Sequence, residues 1–329
     1  MLSAFRLLIE IEHWPLKTPF RITGHAWESL GVVVVALEAE GRRGVGEAAG
    51  VFYREETPDT IARQIESVRS QIESNDFTAE SLQTLVPPGG ARNALDCALW
   101  DWRAKTSGQP VWQLAGMCEP QPLITTFTCG ADTPEAMAAT ARSYAGARAI
   151  KLKLTGHDSD ADRVEAVRAM RPDVWLGVDA NQGFTRASLE RLMPTLVKRQ
   201  VSLIEQPFPI GKDDLLDGLD SPIPLAADES AQTVDDLPGL VGRFQVVNIK
   251  LDKCGGLTHA LAMARAAGKM GLETMVGNMM GTSLAMAPAF LVGQLCKIVD
   301  LDGPIFLKAD RAEAVHYANG LIHCTQGVW

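Results

Sequence analysis

Apolar and polar residues alternate over residues 3–12, and residues 31–39 are rich in β-branched side chains ahead of the turn-forming run Glu40-Gly41-Arg42-Arg43-Gly44. Period-two alternation closed by a glycine turn predicts antiparallel strands, because successive side chains on a strand point to opposite faces. From residue 58 to about 73 the period lengthens: Ile61, Ile65, Val68 and Ile72 recur at steps of three and four, one face of a helix. A second, largely buried helix is predicted over residues 91–106, stopped by Gly108-Gln109-Pro110. Residues 1–118 therefore read as an α+β unit.

After Pro120 the pattern changes. Eight short apolar runs lie at residues 123–128, 149–154, 175–179, 202–205, 224–227, 246–250, 273–276 and 298–301, most with a polar or charged residue at or next to the end. Between them lie alanine-rich amphipathic stretches such as 134–144, 160–170, 186–196 and 258–270. Strand–helix alternation implies parallel βαβ units, and eight strands imply a closed barrel over residues 119–305. Residues 306–329 are too long for a strand end alone and are expected to return and pack on the N-terminal unit. The fold class predicted is α/β, a modified TIM barrel with an α+β capping domain.

The charges sit where such barrels do chemistry, at the C-terminal ends of the strands. The second run ends in Lys151-Leu152-Lys153, the third at Asp179, the fourth at Glu205, the fifth runs into Asp228 and the sixth ends at Lys250. Intervals of 26, 26, 23 and 22 residues separate positions 153, 179, 205, 228 and 250. Each interval fits one βα repeat of roughly 20–30 residues. Five successive strands thus deliver lysine, three acids and lysine to one mouth. Each piece has a plainer explanation by itself. Lys-Leu-Lys suits a solvated alternating strand, Asp228-Glu229-Ser230 a helix start, and Glu205-Gln206-Pro207 a strand end before a turn. Together they do not, since carboxylates converging at three successive strand ends repel one another without a cation. Three hard oxygen ligands suit Mg²⁺.

Composition narrows the picture. The 329-residue chain is 46% hydrophobic and 22% charged, ordinary globular usage, and its formal net charge of −9 disfavours a nucleic-acid partner. The longest aliphatic block, residues 32–37, is far too short to span a bilayer, and residues 1–16 carry Glu10 and Glu12 where a signal peptide needs an apolar core. The six cysteines, at 97, 118, 129, 254, 296 and 324, form no CxxC pair, which favours small buried hydrophobes in a reducing, cytoplasmic compartment.

With Lys-x-Lys, Asp, Glu, Asp and Lys at successive strand ends, the whole chain resembles the enolase superfamily, specifically its muconate-lactonizing-enzyme subgroup. Asp300-Leu301-Asp302-Gly303-Pro304 further resembles the Asp-x-Asp of dipeptide epimerases, where the pair holds the free α-ammonium; a strand ending in an Asp-Gly-Pro turn is the plainer alternative. The resemblance implies Lys153 and Lys250 as the acid/base pair, Lys151 beside the substrate carboxylate, Asp179, Glu205 and Asp228 as ligands of one Mg²⁺ with Mn²⁺ as a substitute, and Thr128 and Asn278 as substrate contacts. The implied activity is proton transfer at the α-carbon of the C-terminal residue of a dipeptide through an enediolate. An N-acyl-amino-acid racemase, for instance of N-acetylglutamate, is the nearest alternative. An o-succinylbenzoate synthase-type lyase or cycloisomerase comes after it, and a non-catalytic binding protein last. A homo-oligomer is also expected. Glutamate-selective members carry an arginine in the loop after Pro-Phe; here the loop reads Arg21-Ile22-Thr23-Gly24-His25-Ala26-Trp27-Glu28, with Gly24 or His25 in that place. Trp27, Phe52 and Tyr53 either line a hydrophobic side-chain pocket or belong to the capping core.

Overall fold

A computed structural model describes residues 4–325, 327 and 329. Ser3, where the first alternating stretch begins, and Gln326 and Val328 of the C-terminal return lie outside the described residues. Strands β1 (Arg6–Ile22), β2 (His25–Ala39) and β3 (Arg42–Ala48) form an antiparallel sheet in that order. β1 continues ten residues past the alternating stretch, through Pro15 and Pro19, with a break in register between Pro15 and Phe20. Prolines survive here because β1 is an edge strand, so the lost N–H bonds cost no ladder on its far side.

The helix Gly90–Ser107 lies directly on β3. Only glycine permits this approach: a Cβ on Gly44 would come 2.2 Å from the Ala98 carbonyl oxygen, and one on Gly46 equally close to that of Ala94. The predicted helix over residues 58–73 is two helices, Pro58–Ser67 and Arg69–Ile72, meeting at Val68. Its apolar face (Ile61, Ile65, Ile72) is buried as the periodicity requires.

β4 (Leu123–Ile124) precedes the eight parallel strands of the barrel. These are β5 (Thr126–Cys129), β6 (Ala149–Lys153), β7 (Trp175–Asp179), β8 (Leu203–Glu205), β9 (Leu225–Ala227), β10 (Val246–Ile249), β11 (Glu273–Val276) and β12 (Ile298–Val299), hydrogen-bonded in sequence order. Thus the first apolar run splits. Its first two residues leave the barrel and pair antiparallel with β14 (Leu321–His323), which pairs in turn with β13 (His316–Ala318). Helices follow most barrel strands, but between β8 and β9 there is only the 3₁₀ turn Asp213–Leu216.

The seam between β12 and β5 is bridged by side chains. The Leu301 N–H donates to Thr125 Oγ1 at 2.9 Å, the Thr128 N–H to Asp302 Oδ2 at 2.6 Å, and the Thr126 hydroxyl to Asp300.

Buried polar contacts tie the N-terminal sheet and helices to the barrel. Arg92 donates to the Cys254 carbonyl at 2.8 Å, Asp96 accepts from the Thr258 N–H at 2.9 Å, and Asp252 accepts from the Gly50 N–H at 2.9 Å. Glu47, fully buried on β3, accepts from Arg311 at 2.7 Å and from the Thr282 N–H at 2.7 Å, while Arg311 also reaches Glu12 on β1 at 2.8 Å. Burial pushes the Glu47 carboxyl above its ordinary range against the pull of Arg311. Removing one partner of a buried pair leaves the other uncompensated, at a cost of about 3–5 kcal/mol. Arg311→Met is therefore expected to lower the denaturation midpoint. Because Glu47 ionises only at raised pH in the fold, the loss is smallest below that raised pKa and grows as pH rises through it. A midpoint equal to wild type at neutral pH would refute this.

Candidate active site

The parallel register places Lys153 opposite Asp179, and Asp179 opposite Glu205, in one row at the strand ends. Asp228 and Lys250 follow immediately after β9 and β10, and Asp300 immediately after β12. All of them, with Lys151 and Asp302, are buried. Asp179, Glu205 and Asp228 each offer an oxygen within 4.8 Å of the others.

Lysines interleave with the acids. The Lys153 ammonium lies 2.6 Å from Asp179 Oδ2, and that of Lys250 2.6 Å from Asp228 Oδ2. Lys151 sits centrally, against Asp300 and at 3.3 Å from Glu205 Oε2 and 3.6 Å from Asp179 Oδ2. Burial and then the Asp179 charge push Glu205 up to about 7. Burial pulls Lys250 down, but Asp228 and Glu205 outweigh it and hold the amine above its ordinary value; Lys151 is raised likewise by Asp300, Glu205 and Asp179.

Three buried carboxylates with oxygens converging within 4.8 Å repel one another, and as hard ligands they fit a divalent cation of the Mg²⁺ type. Asp179, Glu205 and Asp228 are the residues that would hold it.

The cavity beside these groups is lined by Thr128, Lys151, Lys153, Asn181, Lys250, Asn278, Asp300 and Asp302 on the barrel side. Phe20, Ile22, Trp27 and Phe52 approach from the N-terminal sheet and the loop after it, and Met279, Met280 and Phe306 complete the wall. Trp27 packs edge-on against Phe52 with centroids 5.2 Å apart, and Phe20 lies 4.7 Å from Phe306. Trp27 and Phe52 thus line the cavity. Tyr53 stands behind it, its hydroxyl accepting from Gln232 at 2.9 Å. Gly24 forms the tip of the β1–β2 hairpin at φ +72° with open space around its Cα, and the neighbouring Thr23 hydroxyl donates to the Leu154 carbonyl at 2.9 Å, one residue beyond Lys153. His25 packs tilted against Trp27 with ring centroids 4.1 Å apart, and the cavity lining does not include it.

The eighth-strand pair divides. Asp300 is held by Lys151 and the Thr126 hydroxyl. Asp302 is held by Thr128, whose N–H donates to Oδ2 at 2.6 Å, and burial, with Asp300 next, pushes it up to about 7. Asn278 lines the cavity, yet its amide is spent locally: it donates to the Asp300 carbonyl at 2.7 Å and accepts from the Met280 N–H at 2.8 Å. Thr128 contributes its backbone to Asp302 and to the Tyr144 hydroxyl.

Four further groups serve the site without standing out in the sequence. Lys253, fully buried, lies 2.6 Å from Asp228 Oδ1. Asn248 donates to Glu205 Oε1 at 2.7 Å, and Gln206 accepts from the backbone N–H of Asp228 at 2.9 Å. Glu229 is pushed up to about 8 by burial and by Asp228 and Asp179, with Asn181 as its hydrogen-bond donor at 3.4 Å. A lysine three residues beyond Lys250 and an acid next to Asp228 were the only available signals.

A capped parallel barrel whose strand ends carry lysines about a carboxylate triad defines a class: metal-assisted enzymes that move a proton on carbon beside a carboxylate. The family model for the mandelate racemase / muconate lactonizing enzyme N-terminal domain matches residues 5–116, and that for the enolase C-terminal domain-like region matches residues 135–327. The chain belongs to this family of the enolase superfamily, and the resemblance noted in its motifs holds. It is 40% identical to the L-Ala-D/L-Glu epimerase of Escherichia coli (strain K12) over 95% of this chain and 97% of that one. It is 41% identical to an N-acetyl-D-glutamate racemase of a Pseudoalteromonas species over 88% and 91%. A dipeptide epimerase of Methylococcus capsulatus, solved with Mg and the dipeptide L-Arg-D-Lys, superimposes with a TM-score of 0.91 at 30% identity, covering 98% of this chain and 97% of that one.

Proposed function

We propose that this protein is a Mg²⁺-dependent dipeptide epimerase, inverting the α-carbon of the C-terminal residue of a dipeptide. One observation carries the reading. Lys153 on β6 and Lys250 after β10 stand four strands apart in an eight-stranded barrel, hence facing each other, with the strands of the three acids between them. Mg²⁺ with Asp179, Glu205 and Asp228 would supply positive charge to the substrate carboxylate, as enediolate chemistry demands. Lys151 adds a second positive charge beside it. One of the two facing lysines takes the α-proton and the other delivers one to the opposite face. Burial favours the neutral amine of Lys250 as soon as Asp228 is no longer its partner. The aromatic wall of Phe20, Trp27, Phe52 and Phe306 keeps water from the carbanionic carbon.

In this reading residues 1–118 with 306–329 form the capping domain and residues 119–305 the barrel. The Glu12–Arg311–Glu47 bridge and the bond from Trp329 Nε1 to the Val45 carbonyl at 2.9 Å support it. A reducing, cytoplasmic setting fits six unpaired thiols, and no described helix is long and apolar enough to cross a membrane.

A second reading, an N-acyl-amino-acid racemase, is favoured by the Pseudoalteromonas relative and by Asp302. A carboxyl held near neutrality can donate a hydrogen bond to an acyl oxygen as well as accept one from an ammonium. The two readings separate on kcat/KM for one free dipeptide and its N-acetylated form. If Asp302 holds an ammonium, Asp302→Asn lowers kcat/KM for the free dipeptide roughly 10–150-fold, as expected for a hydrogen bond to a charged group, and leaves the acetylated form little changed. A wild type that prefers the acetylated compound moves the assignment to the racemase.

A further inference from the structure

Each of the three acids has one oxygen taken by a protein donor and the other turned toward a lysine of the cavity wall. Asp179 Oδ1 accepts from the Asn181 backbone N–H at 2.9 Å while Oδ2 faces Lys153. Glu205 Oε1 accepts from Asn248 Nδ2 at 2.7 Å while Oε2 faces Lys151. Asp228 Oδ1 accepts from Lys253 at 2.6 Å while Oδ2 faces Lys250.

The donors have no competing task. Lys253 is fully buried, and its ammonium uses all three protons, on Asp228 Oδ1, on the Asp228 carbonyl at 2.5 Å and on the Asn248 carbonyl at 3.0 Å. It can neither reach a substrate nor turn away, so it grips Asp228 at side chain and backbone together. Gln206 fixes the same residue through its N–H. Asn248 is equally buried, on β10 between Asp228 and the seventh strand, and Glu205 is the acceptor for its amide group. The Asn181 clamp is backbone, set by a left-handed φ of 41° immediately beyond the Asp179-Ala180 corner.

A carboxylate with one oxygen already hydrogen-bonded presents a single oxygen to a metal. Mg²⁺ takes near-octahedral coordination with one oxygen from each carboxylate and several waters, whereas Ca²⁺ accepts six to eight oxygens and commonly takes carboxylates through both. We propose that Asn181, Asn248 and Lys253 are positioning residues that hold Asp179, Glu205 and Asp228 to one metal-binding oxygen each, and thereby set the preference of the site for Mg²⁺ over Ca²⁺. The inference rests on the metal site of the proposed function and concerns only how that site chooses its ion.

The test is calorimetric measurement of Kd for Mg²⁺ and for Ca²⁺, without substrate, on wild type, Asn248→Ala and Lys253→Met. Wild type is expected to favour Mg²⁺. In each variant the ratio of the two constants should shift toward Ca²⁺ by about tenfold or more, the lower range for loss of an outer hydrogen bond to a metal ligand. The ratio isolates the clamp. Losing the Lys253 charge strengthens binding of both divalent ions alike, and general loosening weakens both, so neither moves it. If Lys253→Met does not fold, Asn248→Ala, which changes no charge, still decides. Variants that bind both ions at the wild-type ratio overturn the clamp and leave the metal site standing. A wild type that binds neither ion overturns the metal reading and this inference with it.

Discussion

Lys153→Ala and Lys250→Ala are each expected to abolish epimerisation while sparing half of the chemistry. In D₂O, wild type should exchange the α-proton of both epimers and interconvert them. Each single variant should still exchange the proton of the one epimer whose hydrogen faces the surviving lysine, and should lose exchange from the other. The expected loss of interconversion is 10²–10⁴-fold or more, since a positioned acid or base contributes roughly that much. The geometry behind the expectation is the placement of the two amines four strands apart, each against a different acid: Lys153 at 2.6 Å from Asp179 and Lys250 at 2.6 Å from Asp228. Proton NMR of the α-hydrogen, run separately from the L,L and L,D dipeptides, reads exchange and inversion together. A variant that epimerises near the wild-type rate, or that exchanges both epimers equally, would show that one lysine serves both faces and would end the two-base assignment.

What could be read in the chain beforehand follows from the regularity of parallel barrels. One βα repeat returns the backbone to the same rim, so acids 26 and 23 residues apart had to meet there, and Asp179, Glu205 and Asp228 do. Features that depend on contacts distant in sequence were not legible. Leu123-Ile124 continues an apolar run without a break, and only the presence of β14 draws it out of the barrel. β1 runs on through two prolines because it is the edge strand of its sheet, met on its outer side only by the isolated bridge of Leu16 to Leu307, a fact of sheet order and not of local pattern. The short β8–β9 connection hides behind a spacing still ordinary for a repeat. Asp300 and Asp302 were legible as a pair, but not their separation into a partner of Lys151 and an acid held by Thr128. Asn248 lies inside the strand-like run 246–250 and Lys253 between that run and the next helical stretch, and only their burial against Glu205 and Asp228 gives them a role.

Removing the metal, or one of its charges, is expected to have an effect as large as removing a lysine. Treatment with a chelator should take turnover to background, and Mg²⁺ should restore it, because an enediolate beside uncompensated carboxylates has too little positive charge around it. Asp228→Asn refines the test. The substitution keeps an oxygen where Lys253 donates, so local packing is retained, but it withdraws one of three protein charges from the ion. It also frees Lys250 from its carboxylate partner. If Lys250 were limited only by that ion pair, the asparagine variant would be faster at neutral pH, since burial alone favours the neutral amine. If the ion is indispensable, the same variant binds Mg²⁺ weakly and kcat/KM falls by about 10² or more, corresponding to several kcal/mol of charge stabilisation in the transition state. Calorimetric Kd for Mg²⁺ and kcat/KM on one dipeptide, measured side by side, separate these outcomes. Full turnover after exhaustive metal removal would defeat the metal site itself, whereas a fall in rate with unchanged Mg²⁺ affinity would place Asp228 with Lys250 in proton transfer and outside the ligand set.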